Sequence, residues 1–186
     1  MKLRKNPGII AELNQLAENP ELDPFTSPEI MASSFYQIMQ TTVKLDSSYL
    51  ANNLTPAAFV LLAKIASTSH TLHTWDMGGN GLYNLDFHSL MALADAITTS
   101  PTLHILNIRR NFLGEHIVAF IKSLLKSNIQ IIDIRWNCIQ EDMKKEAIIS
   151  LIKDRNQEVL EWKEAFEFLG TVVGPLNTQG ECQHNK

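Results

Sequence analysis

Apolar residues recur along this chain with two alternating periods. Short segments alternate every second residue, as in Leu106 with Ile108 and Ile132 with Ile134, which sends those side chains to one side of a strand. A stretch with helical spacing follows: Leu90, Leu93, Ala94 and Ile97 form one face, and Ile117, Phe120, Ile121, Leu124 and Leu125 another. A single strand–helix unit of this size cannot bury its own apolar side, whereas stacked copies bury a continuous core. The flanks read as helical caps. Asn6 and Pro7 mark a helix start with Ile9, Ile10, Leu13 and Leu16 on one face. Pro20 and Pro24 bracket a linker, and Thr26 with Glu29 has capping-box spacing before a helix over Ile30, Phe35, Ile38 and Met39. Farther on, Val159, Trp162, Phe166 and Leu169 line one helix face and Glu158, Glu161, Glu164 and Glu167 another, which suits a lid on the last layer. Periodicity stops after Gly170.

The strand segments share a finer pattern that ends in asparagine. It is clearest in Leu103-x-x-Leu106-x-Ile108-x-x-Asn111-x-Leu113 and returns in Ile129-x-x-Ile132-x-Ile134-x-x-Asn137-x-Ile139 and Leu72-x-x-Trp75-x-Met77-x-x-Asn80-x-Leu82. A fourth copy keeps Tyr49-x-x-Asn52-x-Leu54 but has Lys44 and Ser47 at apolar places. Over residues 43–153 this pattern resembles a leucine-rich repeat array. The resemblance implies an α/β solenoid of about four strand–helix units with helical N- and C-terminal caps. The expected divisions are a helical cap over 1–42, repeats over 43–153, a capping helix over 154–170 and a flexible tail over 171–186. Asn52, Asn80, Asn111 and Asn137 read as scaffold, their amides satisfying backbone groups where each strand turns away. Their spacings of 28, 31 and 26 residues place an insertion in the middle unit, at Tyr83-Asn84 or at Thr98-Thr99-Ser100-Pro101. A period near 28 with a long helix resembles the ribonuclease-inhibitor-type subfamily, whose helices line the convex side. Few, irregular copies resemble the short repeat proteins that intracellular bacterial pathogens deliver into host cells.

Composition narrows the function classes. An apolar fraction of 45% and a charged fraction of 19% over 186 residues are those of a globular domain with a sizeable core. The net charge of −4 opposes a general nucleic-acid-binding role. The basic start Met1-Lys2-Leu3-Arg4-Lys5 leads into an amphipathic segment without the apolar stretch of a signal peptide. The longest apolar run, Ala57 to Ile65 interrupted by Lys64, is too short for membrane insertion. Cys138 and Cys182 form no metal or redox spacing and suggest a reducing compartment. The expected location is cytoplasmic, with delivery into a host cell implied by the resemblance alone.

No catalytic constellation emerges, and neither a cofactor nor a metal is expected. Ser123-Leu-Leu-Lys126 and Ser150-Leu-Ile-Lys153 have a hydrolase-like Ser-x-x-Lys spacing but lie in amphipathic helices. Gly78-Gly79-Asn80-Gly81 lacks the Lys-Ser/Thr that follows a phosphate loop. His70 and His73 stand apart from other ligand types. An enzyme would need an unforeseen cluster around His104, His116 or Cys138. Some bacterial repeat proteins are ubiquitin ligases with a reactive-Cys domain, but too little chain follows Cys182 for one. Pro28-Glu29-Ile30-Met31 with Phe35 resembles an F-box, which implies as an alternative a ligase adaptor recruiting through residues 24–41. Its acidic residue sits one place early, and Ser27-Pro28 stands in place of Leu-Pro.

The strand face carries the remaining candidates. Parity places Asp46, Ser48 and Leu50 outward in the first unit, then Thr74, Asp76 and Gly78, then Ile105, Asn107 and Arg109, then Ile131, Asp133 and Arg135. Arg110 and Trp136 stand at the edge, just before their asparagines, and the loop residues Asn84 and Phe112 flank them. Parallel neighbours about 4.8 Å apart set Arg109 beside Arg135 and next to Trp136. An exposed Trp among Arg side chains is hot-spot composition, although Arg135 has Asp133 within reach. The expected function is a protein–protein interaction module. Asp76, Asn107, Arg109, Arg110, Asp133, Arg135 and Trp136 would bind a partner protein, and binding would inhibit or recruit a partner enzyme.

Overall fold

A computed structural model describes residues 1–50, 53–124 and 127–138. Asn52, Leu125, Ile139, Cys182, both expected C-terminal segments and their acidic stripe lie outside the described residues, as do Lys126, Ser150 and Lys153.

Ten named elements follow in order: α1 (Pro7–Leu16), α2 (Pro28–Ala32), α3 (Ser34–Met39), β1 (Lys44–Asp46), α4 (Pro56–Ser67), β2 (Thr74–Asp76), α5 (Phe87–Thr98), β3 (Ile105–Asn107), α6 (His116–Ser123) and β4 (Ile131–Asp133). The strands form an open parallel sheet in sequential order β1-β2-β3-β4. Leu45, Trp75, Leu106 and Ile132 pair in one row and are buried beneath the helices. Lys44, Thr74, Ile105 and Ile131 alternate to the uncovered face, which is the expected parity for the last three; Lys44 was expected at an apolar place. Helix α4 is buried on most of its surface because α1 and α3 pack on one side of it and α5 on the other. The N-terminal segment thus closes the first layer, and Lys2 adds a parallel bridge to Asp46 at the sheet edge.

Asn6 and Pro7 begin α1 as expected, although the Asn6 side chain makes no cap hydrogen bond and instead donates to the Lys2 carbonyl at 2.9 Å. One local expectation fails within this cap. The Thr26–Glu29 capping box does not form. Thr26 donates to Asp23, and the expected single helix breaks at Ser33, whose extended backbone (ψ 147°) separates α2 from α3. Ser33 then caps α3 by accepting from the Tyr36 amide, and the Glu12 carboxylate of α1 accepts from the Ser34 and Phe35 amides. Ile30 and Phe35, two residues that carry the F-box resemblance, are fully buried in the core.

Below the strands runs a ladder of buried amides. Asn80 Oδ1 accepts from the Leu50 amide, Asn111 Oδ1 from the Asn80 amide at 2.8 Å, and Asn137 Oδ1 from the Asn111 amide at 3.2 Å. Each Nδ2 donates to two carbonyls or more, those of Ser47 and Met77 for Asn80, Met77 and Ile108 for Asn111, and Ile108 and Ile134 for Asn137. The ladder corrects the first unit. Leu50, not Asn52, occupies the asparagine place, and Leu50 is buried, not outward. The outward residues of that unit are Lys44 and Asp46, and Ser48, expected outward, is buried with its hydroxyl donating to Asp46 Oδ1 at 2.6 Å. Counted from Leu50 the spacings become 30, 31 and 26. The middle unit therefore carries no insertion. The last unit is short instead, because α6 has 8 residues where α4 and α5 have 12.

The corrected register also accounts for Ser47. Its hydroxyl accepts from the buried Trp75 indole at 2.8 Å and donates to the Asp76 carbonyl at 3.1 Å. A Trp at an inward strand place brings a polar N–H into the core, and the neighbouring unit supplies its acceptor.

Two stability outcomes follow. Asn111→Ala removes both donor and acceptor from a fully buried site and should cost about 3 kcal/mol or more in urea unfolding, since each orphaned buried group costs roughly 1–3 kcal/mol. Ser47→Ala should cost about 1–2 kcal/mol with Trp75 present and much less in a Trp75→Phe background, a coupling that a double-mutant cycle reads directly.

Candidate functional site

Each strand ends through the same side-chain device. The Oδ1 atoms of Asp46, Asp76, Asn107 and Asp133 accept from the amides two residues on, of Ser48, Gly78, Arg109 and Arg135, at 3.1, 2.8, 3.0 and 3.1 Å. This is the Asx turn, in which a short polar side chain imitates a backbone turn. Asp76, Asn107 and Asp133 were expected to meet a partner, and all three have this structural duty. Burial raises the Asp46 carboxyl, but the Ser48 hydroxyl and amide, with the charges of Arg4 and Lys2, outweigh it and hold the group below the ordinary carboxylate range.

The arginines differ in what they have left to offer. Arg135 closes a two-point bridge on Asp133, with Nε to Oδ1 at 2.8 Å and Nη2 to Oδ2 at 2.5 Å. Hydrogen bonding to Asp133, then its charge, raises the Arg135 pKa. Arg109 lies across Gly78, where an added Cβ would stand 3.2 Å from the Arg109 Cγ. Among the described residues no carboxylate pairs with the Arg109 guanidinium. Arg110 donates from Nη1 to the Tyr49 hydroxyl at 3.1 Å, and its guanidinium carbon sits 5.8 Å from the Trp136 ring centroid.

Tyr49, Gly79, Arg110 and Trp136 occupy one row, just past the Asx turns, and all four have left-handed backbones with φ between 57° and 68°. A second left-handed row holds Gly81, Phe112 and Cys138, with φ between 55° and 60°. Left-handed φ costs an L-residue about 1–2 kcal/mol and costs glycine almost nothing. Gly79 is needed for a further reason. A Cβ there would fall 2.5 Å from a Tyr49 ring carbon, so the bare backbone makes room for the ring that reaches Arg110.

The side chains launched from these turns are exposed. Tyr49, Phe112 and Trp136 have 48%, 51% and 58% of their surface free, Tyr83 stands exposed in the connection from β2 to α5, and Phe87 stands exposed at the first position of α5. Tyr83 meets Phe112 edge-on at 6.1 Å, and Phe87 lies 5.6 Å from the His116 ring. Tyr49, Tyr83 and Phe87 were not anticipated as site residues. The available signal was glycine at places 79 and 81, which marks left-handed positions that the other copies fill with Tyr, Arg, Phe and Trp.

The residues named for possible chemistry are otherwise engaged. The His73 and His104 rings stack at 5.5 Å, and each Nδ1 faces a backbone carbonyl, of Thr71 and Thr102 respectively. Cys138 is disulfide-bonded, so it is not the lone thiol expected and does not argue for a reducing compartment. Among the described residues no group of three or more His, Cys, Asp or Glu is placed to hold a metal, and no helix is long and apolar enough to cross a membrane.

The fold defines an open parallel α/β protein built from consecutive strand–helix units. No protein-family model matches this chain, and no curated protein or solved structure matches it.

Backbone strain at the site is measurable. Phe112→Ala keeps the left-handed penalty whereas Phe112→Gly releases it, so the Gly variant should be the more stable of the two by about 1 kcal/mol in chemical denaturation. The reverse order would place Phe112 outside the left-handed region.

Proposed function

We propose that this chain is a non-enzymatic protein-interaction module of leucine-rich repeat type that grips a partner protein through the uncovered face of its sheet and the turns that end it. The observation that carries this reading is the group formed by Trp136, Arg110 and Arg109. Trp136 is 58% exposed on a left-handed backbone, Arg110 lies beside its ring, and Arg109 has no carboxylate among the described residues. Fold stability requires none of these, and together they have the composition of an interface anchor. Arg135, held by Asp133, serves the face as a fixed wall, and Asp76, Asn107 and Asp133 position the arginines that follow them. Occupation of a partner enzyme's cleft, or its recruitment, is the biochemical consequence proposed. The repeat resemblance supports a role as an effector delivered to a host.

The test compares intact protein with Trp136→Ala/Arg110→Ala and with Arg135→Ala in affinity capture from host lysates, followed by titration of the captured partner. The double variant should weaken binding at least tenfold, since a buried Trp or Arg anchor contributes about 2 kcal/mol or more, while Arg135→Ala should change it little. Equal binding by all three proteins would move the interface off this face.

A further inference from the structure

Tyr49, Arg110 and Trp136 form one continuous line along the rim where the strands hand over to the helices. The Tyr49 ring covers Gly79, its hydroxyl accepts from Arg110 Nη1, and the Arg110 guanidinium stands over Trp136. The line crosses three inter-strand steps of about 4.8 Å, or about 14 Å, the length of four to five extended residues. Phe112, paired edge-on with Tyr83, follows Arg110 by two residues, so the exposed rings continue on the helix side of the line.

The central guanidinium is held by a hydroxyl on one side and a ring on the other, and only one of its five donors is used among the described residues. A planar fork fixed in this way has already lost much of its rotamer freedom and matches a carboxylate in two-point geometry. Arg109, its chain neighbour, supplies a second cation, with no carboxylate paired to it among the described residues. The flanking rings favour apolar side chains on either side of that carboxylate. An anionic lipid surface fits less well, because Asp46, Asp76 and Asp133 lie in the row beside the line and the chain carries a net charge of −4.

The geometry points to this rim, not the middle of the strand face, as the docking line for an extended peptide segment of a partner protein, with an Asp or Glu carboxylate on Arg110 and apolar side chains against Trp136 and the Tyr83–Phe112 pair. The inference rests on the reading of the chain as a protein-binding module and narrows where and what it binds.

The experiment pans a display library of random heptapeptides against the full chain and measures the Kd of the enriched peptides for variants. Enrichment of Asp or Glu within two residues of Trp, Phe or Leu is expected. Arg110→Lys, which keeps the charge and loses the fork, and Phe112→Gly, which relieves backbone strain, should each weaken binding at least tenfold without lowering the melting temperature by more than a few degrees. Ile105→Ala/Ile131→Ala on the mid-face should leave binding unchanged. Peptides lost with the mid-face pair and kept by the rim variants would overturn the rim assignment while sustaining the strand-face reading. Peptides insensitive to both sets, or no enrichment, would overturn both. Binding to phosphatidylserine vesicles with the same Arg110 and Trp136 dependence, and no peptide enriched, would replace the peptide with a membrane surface.

Discussion

Everything above the core depends on three buried amides. Asn80, Asn111 and Asn137 each accept from the unit before and donate to carbonyls of two neighbouring units, so every amide fixes the height of one turn relative to the next. A parallel sheet of three-residue strands has few ladder bonds of its own to set register. Burying the turn would leave its carbonyls without water, and an asparagine satisfies them from within. The ladder therefore solves a desolvation problem and a register problem with one side chain. At Leu50 it stops, and the backbone amide there closes it by donating to Asn80.

Fixing the turns in this way determines what stands on the rim. The Asx residue ends the strand, its side chain accepts from the amide two residues on, and the residue after that turns back toward the helix in the left-handed region. The scaffold thus delivers two steeply aimed positions per unit. Gly79 and Gly81 fill them without strain, and Gly79 leaves space that the Tyr49 ring occupies. Scaffold and candidate site share residues, so Asp133 is at once a strand terminator and the carboxylate that removes Arg135 from service.

The legible parts of the sequence were those written in period. The switch between strand and helix spacing, the inward row Trp75, Leu106 and Ile132, and the three ladder asparagines all followed from alternation along the chain. The first unit misled because Asn52 and Leu54 imitate the repeat two residues late, while the residue in the asparagine place is Leu50. Ser47 looked like a fault in the pattern. Its reason is an indole 28 residues away in the next unit, a pairing that no local pattern contains. Parity placed Arg109, Arg110, Arg135 and Trp136 near one another but said nothing of how they pair. Whether Arg135 faced a partner or Asp133 depended on a rotamer. Tyr49, Tyr83 and Phe87 escaped because parity follows strands, and these rings leave from a turn, a connection and the first position of a helix.

Magnitudes weigh against a purely structural role for the rim. Four described places carry Tyr, Arg, Phe or Trp in the left-handed region, each at a cost of about 1–2 kcal/mol. The visible returns are smaller: an exposed cation–π contact contributes about 0.5–1 kcal/mol, an edge-on aromatic pair about 0.5–1.5 kcal/mol, and one solvent-accessible hydrogen bond adds roughly 1 kcal/mol at most. Glycine at those places, as at 79 and 81, would be the more stable choice. On the reading proposed above, strain is retained at these exposed aromatic and cationic residues for what they contact outside the chain. Because the same turns are pinned by the amide ladder, the loop has little room to relax the strain by moving, and the rings stay aimed outward.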